Sequence, residues 1–473
     1  MDSDTFRRLG HQFVDWVAAY RDRLETLPVM STVEPGAIRA RFPREPPHDG
    51  GQLPEALAAL DSAVLPGITH WNHPSFFAYF PSNTSYASVL ADLVAAGLGA
   101  QGMSWQTSPA VTEIEEVVME WLRQMLGLSG AFSGVIHDTA STATLCALLC
   151  ARERTSGFGQ DGRGLQSGEA PLVVYGSDQA HSSVQKAALL AGFGNSHLRL
   201  LETDDAHALR LDRLEAAIRE DRRSGLRPCA IVATVGTTGT TALDPVAGLA
   251  AIARREGLWL HVDAALAGTA MVLPECRWMW EGVEGADSLV LNPHKWMGVG
   301  FDFSAYYAKD PQHLVRVMST NPCYLRTAQD GRVRNLRDWG IPLGRRFRAL
   351  KLWFYLADVG VEGLRTRLRR DLENARWLAE QVDASPGWER LAPAPLQTVC
   401  ARHLLADVQD EPALAAHNLA LAERVNRGGR AYVTPSVLKG KQMIRVSIGA
   451  EGTERRHVEG VWRALQEAAL PVP

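Results

Sequence analysis

The sequence predicts an α/β protein built on a mostly parallel sheet, followed by a smaller α+β domain. Two observations carry this reading. Between about residues 110 and 310, short continuous apolar runs alternate with segments of helical spacing. Strands that read as unbroken apolar runs are those buried on both faces of a parallel sheet. After about residue 365, a long charged amphipathic stretch precedes short strand-like runs and a last helix, the order expected of an α+β unit. A chain of 473 residues has material for two or three cores.

Taken in order, Phe6, Leu9, Phe13, Trp16, Val17, Tyr20 and Leu24 recur at helical spacing and predict an amphipathic helix over residues 4–26. Pro35, Pro43, Pro46, Pro47 and Pro54 then read as an extended linker. Helices are expected over 113–126 and 141–154, and buried strands over 172–175, 230–233, 258–261 and 289–291. Short strands near 399–403 and 443–448 and a final helix complete the chain, with no internal repeat. The resulting division is 1–85, 86–365 and 366–473.

Composition narrows the function. A net charge of −4 with 22% charged residues gives no reason to expect nucleic acid or an anionic membrane as partner. The six cysteines form no CxxC pair. Cys146 and Cys150 share a helix face and read as buried thiols, so no metal is expected. No apolar run reaches membrane-spanning length, and Asp2 and Asp4 replace the basic start of a secretory signal. The expected location is the cytoplasm.

The chemistry begins at Asn292-Pro293-His294-Lys295-Trp296, which closes the apolar run 288–291. Lysine is the side chain that bonds covalently to an aldehyde, and desolvation frees its amine to attack. The preceding run closes on His261-Val262-Asp263-Ala264-Ala265. Either charge alone reads as an ordinary cap or salt bridge. Together, on successive strand ends, they supply what pyridoxal phosphate needs: an amine for the aldehyde and a carboxylate that keeps the pyridine nitrogen protonated. Asp138-Thr139-Ala140-Ser141 before an apolar helix offers small residues and free N–H groups for a phosphate, though Ser and Thr caps are common. Ala180-His181-Ser182-Ser183 places a histidine able to stack on the ring, and Val235-Gly236-Thr237-Thr238-Gly239 offers threonines near ring or phosphate. Each of these is also compatible with a plain turn.

These motifs, with Phe76-Phe77-Ala78-Tyr79-Phe80-Pro81 and Ile341-Pro342-Leu343-Gly344-Arg345-Arg346-Phe347-Arg348, occur in order from Trp71 to Lys351. The sequence resembles the group II pyridoxal-phosphate-dependent decarboxylases. Within them it looks like an aromatic-L-amino-acid (DOPA/tryptophan) decarboxylase of the bacterial branch. The resemblance implies an aspartate aminotransferase-like fold of type I with a seven-stranded sheet flanked by helices. It also implies a homodimer joined partly by the 1–85 arm, a cofactor-binding domain over 86–365, and a small domain over 366–473. By matching positions, Lys295 would bond the aldehyde, Asp263 would pair with the pyridine nitrogen, and His181 would stack on the ring. Thr139, Ala140, Ser141 and Asn292 would hold the phosphate, with Thr238, Ala265 and His294 close by. Trp71, Tyr79, Phe80, Gln101, Met103 and Gly344 would contact the substrate.

Tyr324 matches the tyrosine that returns a proton to the substrate carbon after carbon dioxide leaves. Relatives with phenylalanine there, or asparagine at the stacking histidine, tend to be aldehyde synthases, so Tyr324 and His181 favour simple decarboxylation. The expected reaction converts DOPA, 5-hydroxytryptophan, tryptophan, tyrosine or phenylalanine to the aryl amine. An aromatic acetaldehyde synthase and a non-catalytic protein of the same fold are the alternatives. The chain departs from the family at Leu266, where tyrosine is frequent, and at Gln101 and Met103, where isoleucine and phenylalanine are usual. Gly344 is expected to leave room for a bulky ring.

Overall fold

In a computed structural model the chain is described for residues 1–470, except 167, 321, 323 and 324. It divides into two compact units. One comprises Met1–Pro81, Glu380–Glu389 and Ala401–Pro473, and the other Ser82–Ala379 with Arg390–Cys400.

The large sheet contains β1 (Ser133–His137), β2 (Leu172–Ser177), β3 (Leu198–Leu201), β4 (Arg227–Thr234), β5 (Trp259–Asp263), β6 (Ser288–Leu291) and β7 (Ser304–Ala308), in the order β1-β7-β6-β5-β4-β2-β3. The β3–β2, β2–β4, β4–β5 and β5–β6 pairs are parallel. β7 runs antiparallel to both β6 and β1. The sheet is therefore seven-stranded and mostly parallel.

The helices are α1 (Ser3–Asp22), α2 (Leu53–Ala59), α3 (Tyr86–Leu98), α4 (Pro109–Leu126), α5 (Ala140–Ser156), α6 (Gly159–Arg163), α7 (Ser182–Leu190), α8 (Leu211–Arg223), α9 (Val246–Glu256), α10 (Pro311–Met318), α11 (Ala349–Ala384), α12 (Glu411–Arg427) and α13 (Arg455–Ala469). Their ends follow local chemistry. Ser108 caps α4 by accepting the Val111 N–H and Pro109 opens the first turn, while Thr139 caps α5 through the Thr142 N–H. Ala143, Ala147, Leu148 and Ala151 of α5 pack with Val174, Val232, Val290 and Tyr306 of the sheet. Small side chains on the helix let it lie close to the strands. Cys146 and Cys150 are fully buried, and burial pushes the Cys146 thiol up to about 12.

A second sheet holds β8 (Trp388–Arg390), β9 (Thr398–His403), β10 (Thr434–Leu438) and β11 (Lys441–Ser447), in the order β10-β11-β9-β8. Two expectations need correction. The first helix stops at Asp22, and a 3-10 turn occupies Leu24–Thr26. The proline-rich stretch is not wholly extended: it contains a 3-10 turn at Arg39–Arg41, and α2 begins around Pro54. Proline is tolerated in a first helical turn because its missing N–H has no partner there. Among the described residues no helix is long and apolar enough to cross a membrane, and no group of three or more ligands is placed to hold a metal.

Candidate active site

Because β2, β4, β5 and β6 are parallel, and β1 points the same way across the reversed β7, their carboxyl ends share one edge of the sheet. Open sheets bind ligands at such ends. This topology collects Asp138–Ser141, Asp178–Ser183, the loop after Thr234, Asp263 and the Asn292–Lys295 turn.

Asp263 is the last residue of β5 and is buried, opposite Thr234 of β4 and Val290 of β6 in register. Its backbone carbonyl accepts the Val235 N–H at 2.9 Å, and its Oδ1 accepts the Ala265 N–H at 3.1 Å. Ladder bonds on both flanks and a local side-chain bond fix the direction of the carboxylate. Ala265 is partly buried and its carbonyl accepts the Asn292 N–H at 2.9 Å, tying the two strand ends together.

Lys295 sits in a π-turn, Pro293–Met297, which closes on Gly298 at φ 96. A Cβ at Gly298 would lie 2.8 Å from the Tyr355 ring, so both the conformation and the space require glycine. The Lys295 N–H donates to the Asn292 carbonyl at 2.9 Å. Its carbonyl accepts from the Asn83 N–H at 3.4 Å and Asn83 Nδ2 at 3.0 Å. The next residue is held as firmly. The buried Trp296 indole donates to Asp371 at 2.9 Å, and Arg367 donates to the Trp296 carbonyl at 2.6 Å. Burial lowers the Lys295 pKa, opposed by the charge of Asp263. Desolvation is the larger effect and raises the neutral, nucleophilic fraction of the amine.

The histidines around this pair are held neutral. Ser183 donates its N–H to His181 Nδ1 at 3.1 Å, so Nδ1 carries no proton in that arrangement. The His181 pKa is lowered, first by burial, with Asp263 raising it and Lys295 lowering it. The charges of Asp263 and Lys295 therefore both reach the His181 ring. His294, directly before the lysine, accepts the Phe303 N–H on Nδ1 at 3.0 Å, which leaves the proton on Nε2. Burial takes His294 down to about 3, helped by the Lys295 charge. His261 lies fully buried between Ser288 and Thr144 at about 4, again through burial.

The remaining cofactor candidates lie at the same edge of the sheet. Ala140 and Ser141 open α5, where the first-turn N–H groups and the helix dipole favour an anion. Asn292 is buried, and Ser304 donates to its Oδ1 at 2.6 Å. That bond turns the amide nitrogen into the end available to a ligand. Thr238 is exposed in the loop after β4, beside the buried Thr237.

The expected substrate contacts are divided between the two units. Gln101 Oε1 accepts the Arg345 N–H at 2.8 Å, Gly102 N–H donates to the Arg345 carbonyl at 3.0 Å, and Arg337 N–H donates to the Met103 carbonyl at 3.0 Å. Below them, Arg345 and Glu115 form a buried ion pair at 2.6 Å. Gly344 is exposed, and a Cβ there would lie 3.2 Å from the tip of the Gln101 side chain, at Nε2. The longer side chain has moved into the volume that glycine frees. Trp71, Tyr79 and Phe80 belong to the other unit. There Trp71 packs on Tyr79 at 5.6 Å, Tyr79 reaches the Tyr432 hydroxyl at 3.3 Å, and Arg445 lies over Phe80 at 5.2 Å. Tyr324 lies outside the described residues.

Asn83, Ser304, Arg367 and Asp371 were not foreseen. Each acts through a backbone group or a neighbouring polar side chain, and no local sequence pattern marks such a role.

Comparison with known proteins agrees with this geometry. Residues 35–403 match the model of the pyridoxal-dependent decarboxylase conserved domain. The chain is 41% identical to a phenylacetaldehyde synthase of Arabidopsis thaliana, over 99% of this chain and 96% of that protein. It is 39% identical to a tyrosine decarboxylase of Papaver somniferum, over 99% and 95%. The crystal structure of Oryza sativa TDC with PLP and tryptamine superposes with a TM-score of 0.95 at 35% identity, covering 99% of this chain and 98% of that one. These relatives are plant proteins, so the expected placement in a bacterial branch finds no support from them.

Proposed function

The chain belongs to the pyridoxal-dependent decarboxylase family, and we propose that it converts aromatic L-amino acids to aryl amines and carbon dioxide. The observation that carries this is the placement of the buried Asp263 with Lys295 and His181 at the carboxyl ends of parallel strands on one edge of the sheet, where the charges of Asp263 and Lys295 both reach the His181 ring. The residues present fit pyridoxal phosphate: a desolvated amine, a fixed carboxylate, a neutral ring, and a helix N-terminus beside the Asn292 amide. When bound, the cofactor supplies a sink for the electron pair left as the carboxylate departs. Asp263 would hold a proton on the pyridine nitrogen of the bound cofactor, a preorganised partner for negative charge drawn into the ring. In this reading His181 would stack on the bound cofactor's ring, and Tyr324 would supply the proton to the substrate α-carbon.

Gln101 and Gly344 are placed at the substrate ring in this reading, with DOPA and indole amino acids as the bulky aromatic candidates. Aldehyde formation is the second reading, favoured by the 41% identity to a phenylacetaldehyde synthase. The test is to incubate holoenzyme with each aromatic amino acid and to assay amine, aldehyde, peroxide and carbon dioxide together. Amine with carbon dioxide supports the proposal, and aldehyde with peroxide overturns it in favour of the synthase. Tyr324→Phe should then shift product from amine toward aldehyde.

The active species is proposed to be a homodimer. Leu90, Leu93, Val94 and Leu98 leave α3 with an exposed apolar stripe 41–63% accessible, more than a lone helix face ordinarily shows to water. Light scattering of the purified protein tests this, and a species of 51.7 kDa at working concentration would refute it.

A further inference from the structure

Lys351 closes the run of matching motifs, yet nothing above gives it a task. It is 1% exposed, on the first turn of α11. Its Nζ donates to three successive carbonyls, Gly300 at 3.2 Å, Phe301 at 3.1 Å and Asp302 at 3.4 Å, and lies 3.5 Å from Asp92 Oδ2. A buried ammonium is costly unless its donors are met. Here the carbonyls and one carboxylate meet them, much as oxygens surround a bound cation.

What this cage secures is the segment 300–303. Arg348 grips Asp302 through two bonds at 3.1 and 3.0 Å, and Ser88 Oγ accepts the Gly300 N–H at 3.0 Å. The segment ends on Phe303, whose N–H donates to His294 Nδ1, while the His294 N–H returns to the Phe303 carbonyl at 3.4 Å. The Phe301 ring packs 4.7 Å from the His294 ring. Lys351 thus lies two bonded steps from the residue that precedes Lys295.

We infer that Lys351 is a positioning residue of the cofactor site: its ammonium fixes segment 300–303, and through it the tautomer of His294 and the seat of Lys295. The inference rests on the functional reading above, because it treats the Lys295 turn as the cofactor's seat. Without the ammonium, three carbonyls lose their common partner, the Phe303 N–H loses its aim, and His294 is free to exchange tautomers. The effect is on cofactor capture before any substrate arrives.

The test uses the full-length protein with Lys351→Met, which keeps the length of the side chain and removes its charge, beside Lys351→Arg. Histidine-selective nitrogen-15 spectra of the apoprotein report the His294 tautomer, and titration with pyridoxal phosphate reports affinity. Lys351→Met should show mixed His294 tautomers and a cofactor Kd raised roughly tenfold, the scale of a lost charged hydrogen bond. Lys351→Arg should recover most of both. A single Nε2–H tautomer together with a Kd within twofold of wild type would overturn the inference. If Lys351→Met does not fold, Ser88→Ala loosens the same segment from its other side. It must then reproduce the tautomer mixing in smaller degree, and an unchanged spectrum would likewise overturn the assignment. Neither readout involves an amino acid substrate, so a wrong substrate class leaves this outcome untouched.

Discussion

The floor of the site and its proposed rim are held by different means. At the floor, Asp263, Asn292 and Lys295 are fixed by ladder and turn bonds of the backbone, and the histidines beside them are neutral. At the rim, Gln101 meets Gly344 and Arg345 through an exposed side chain whose amide stands where another residue's Cβ would be. Backbone bonds survive most substitutions of a neighbouring side chain, whereas a side-chain contact changes with its first substitution. The proposed function thus assigns the chemistry to the part that resists change and selectivity to the part that accepts it. Substitution should separate the two.

The floor is broken most completely by Lys295→Ala. Turnover and the absorption of the covalently held cofactor should vanish while the fold remains, since the π-turn is closed by backbone bonds and Gly298. Borohydride reduction and peptide mapping check the assignment, and label on another lysine would refute it. Asp263→Asn should cost several orders of magnitude in kcat, and far less in cofactor affinity. An amide cannot stabilise a charged pyridine N–H where the transition state needs it. A loss under about tenfold, ~1.4 kcal/mol, would demote the carboxylate to a structural role.

The rim should answer in ranking, not in rate. Gly344→Ser must push the Gln101 amide aside, since its Cβ would stand 3.2 Å from Nε2. Selectivity, read as kcat/KM for DOPA, 5-hydroxytryptophan, tryptophan and histidine, should move by roughly tenfold, as when one small group enters a pocket. Gln101→Ala in the same chain should return part of that change, because contacting residues are coupled. Strict additivity of the two substitutions would show that they do not share the ring site.

Acid should act on stability, a third property beside ranking and chemistry. His261 and His73 titrate at about 4 and His294 at about 3 in the folded chain, against 6.5 ordinarily. The unfolded chain therefore binds protons that the folded one refuses between pH 6.5 and 4. Stability should fall as pH is lowered through that window and be unaffected by these groups above it. Melting temperatures from pH 8 to 4 test this, and His261→Gln should flatten the slope. An identical slope in that variant would mean the His261 ring is protonated in place.

How much of this was legible in the chain depended on the range of the interaction. β2, β4, β5 and β6 were readable because each is a run of apolar residues buried on both faces, and their ends announced Asp263 and Lys295. β1 and β7 were not: Ser133–His137 begins with serine and glycine, and Ser304–Ala308 carries two tyrosines, so neither forms a hydrophobic run. β3 is an edge strand with partly exposed residues. The Arg345–Glu115 pair joins residues 230 apart, a distance over which no periodicity speaks. The nearness of Gln101 to Gly344 was unreadable for the same reason, since the two are neighbours in space and not in sequence.

The reversal of β7 bears on how the protein is assembled. β6 and β7 are adjacent and antiparallel, so Lys295 lies in a connection that closes on itself within about a dozen residues. Asp263 and His181 instead reach the site from strands whose parallel pairing needs helical crossovers. Contacts of short separation form early, and long-range parallel pairings form late. On refolding, the β6–β7 connection that carries Lys295 should therefore form before the parallel pairings that bring Asp263 and His181 to the site. Pulsed hydrogen exchange during refolding should then protect the Ala305 and Tyr307 amides ahead of those of β4 and β5.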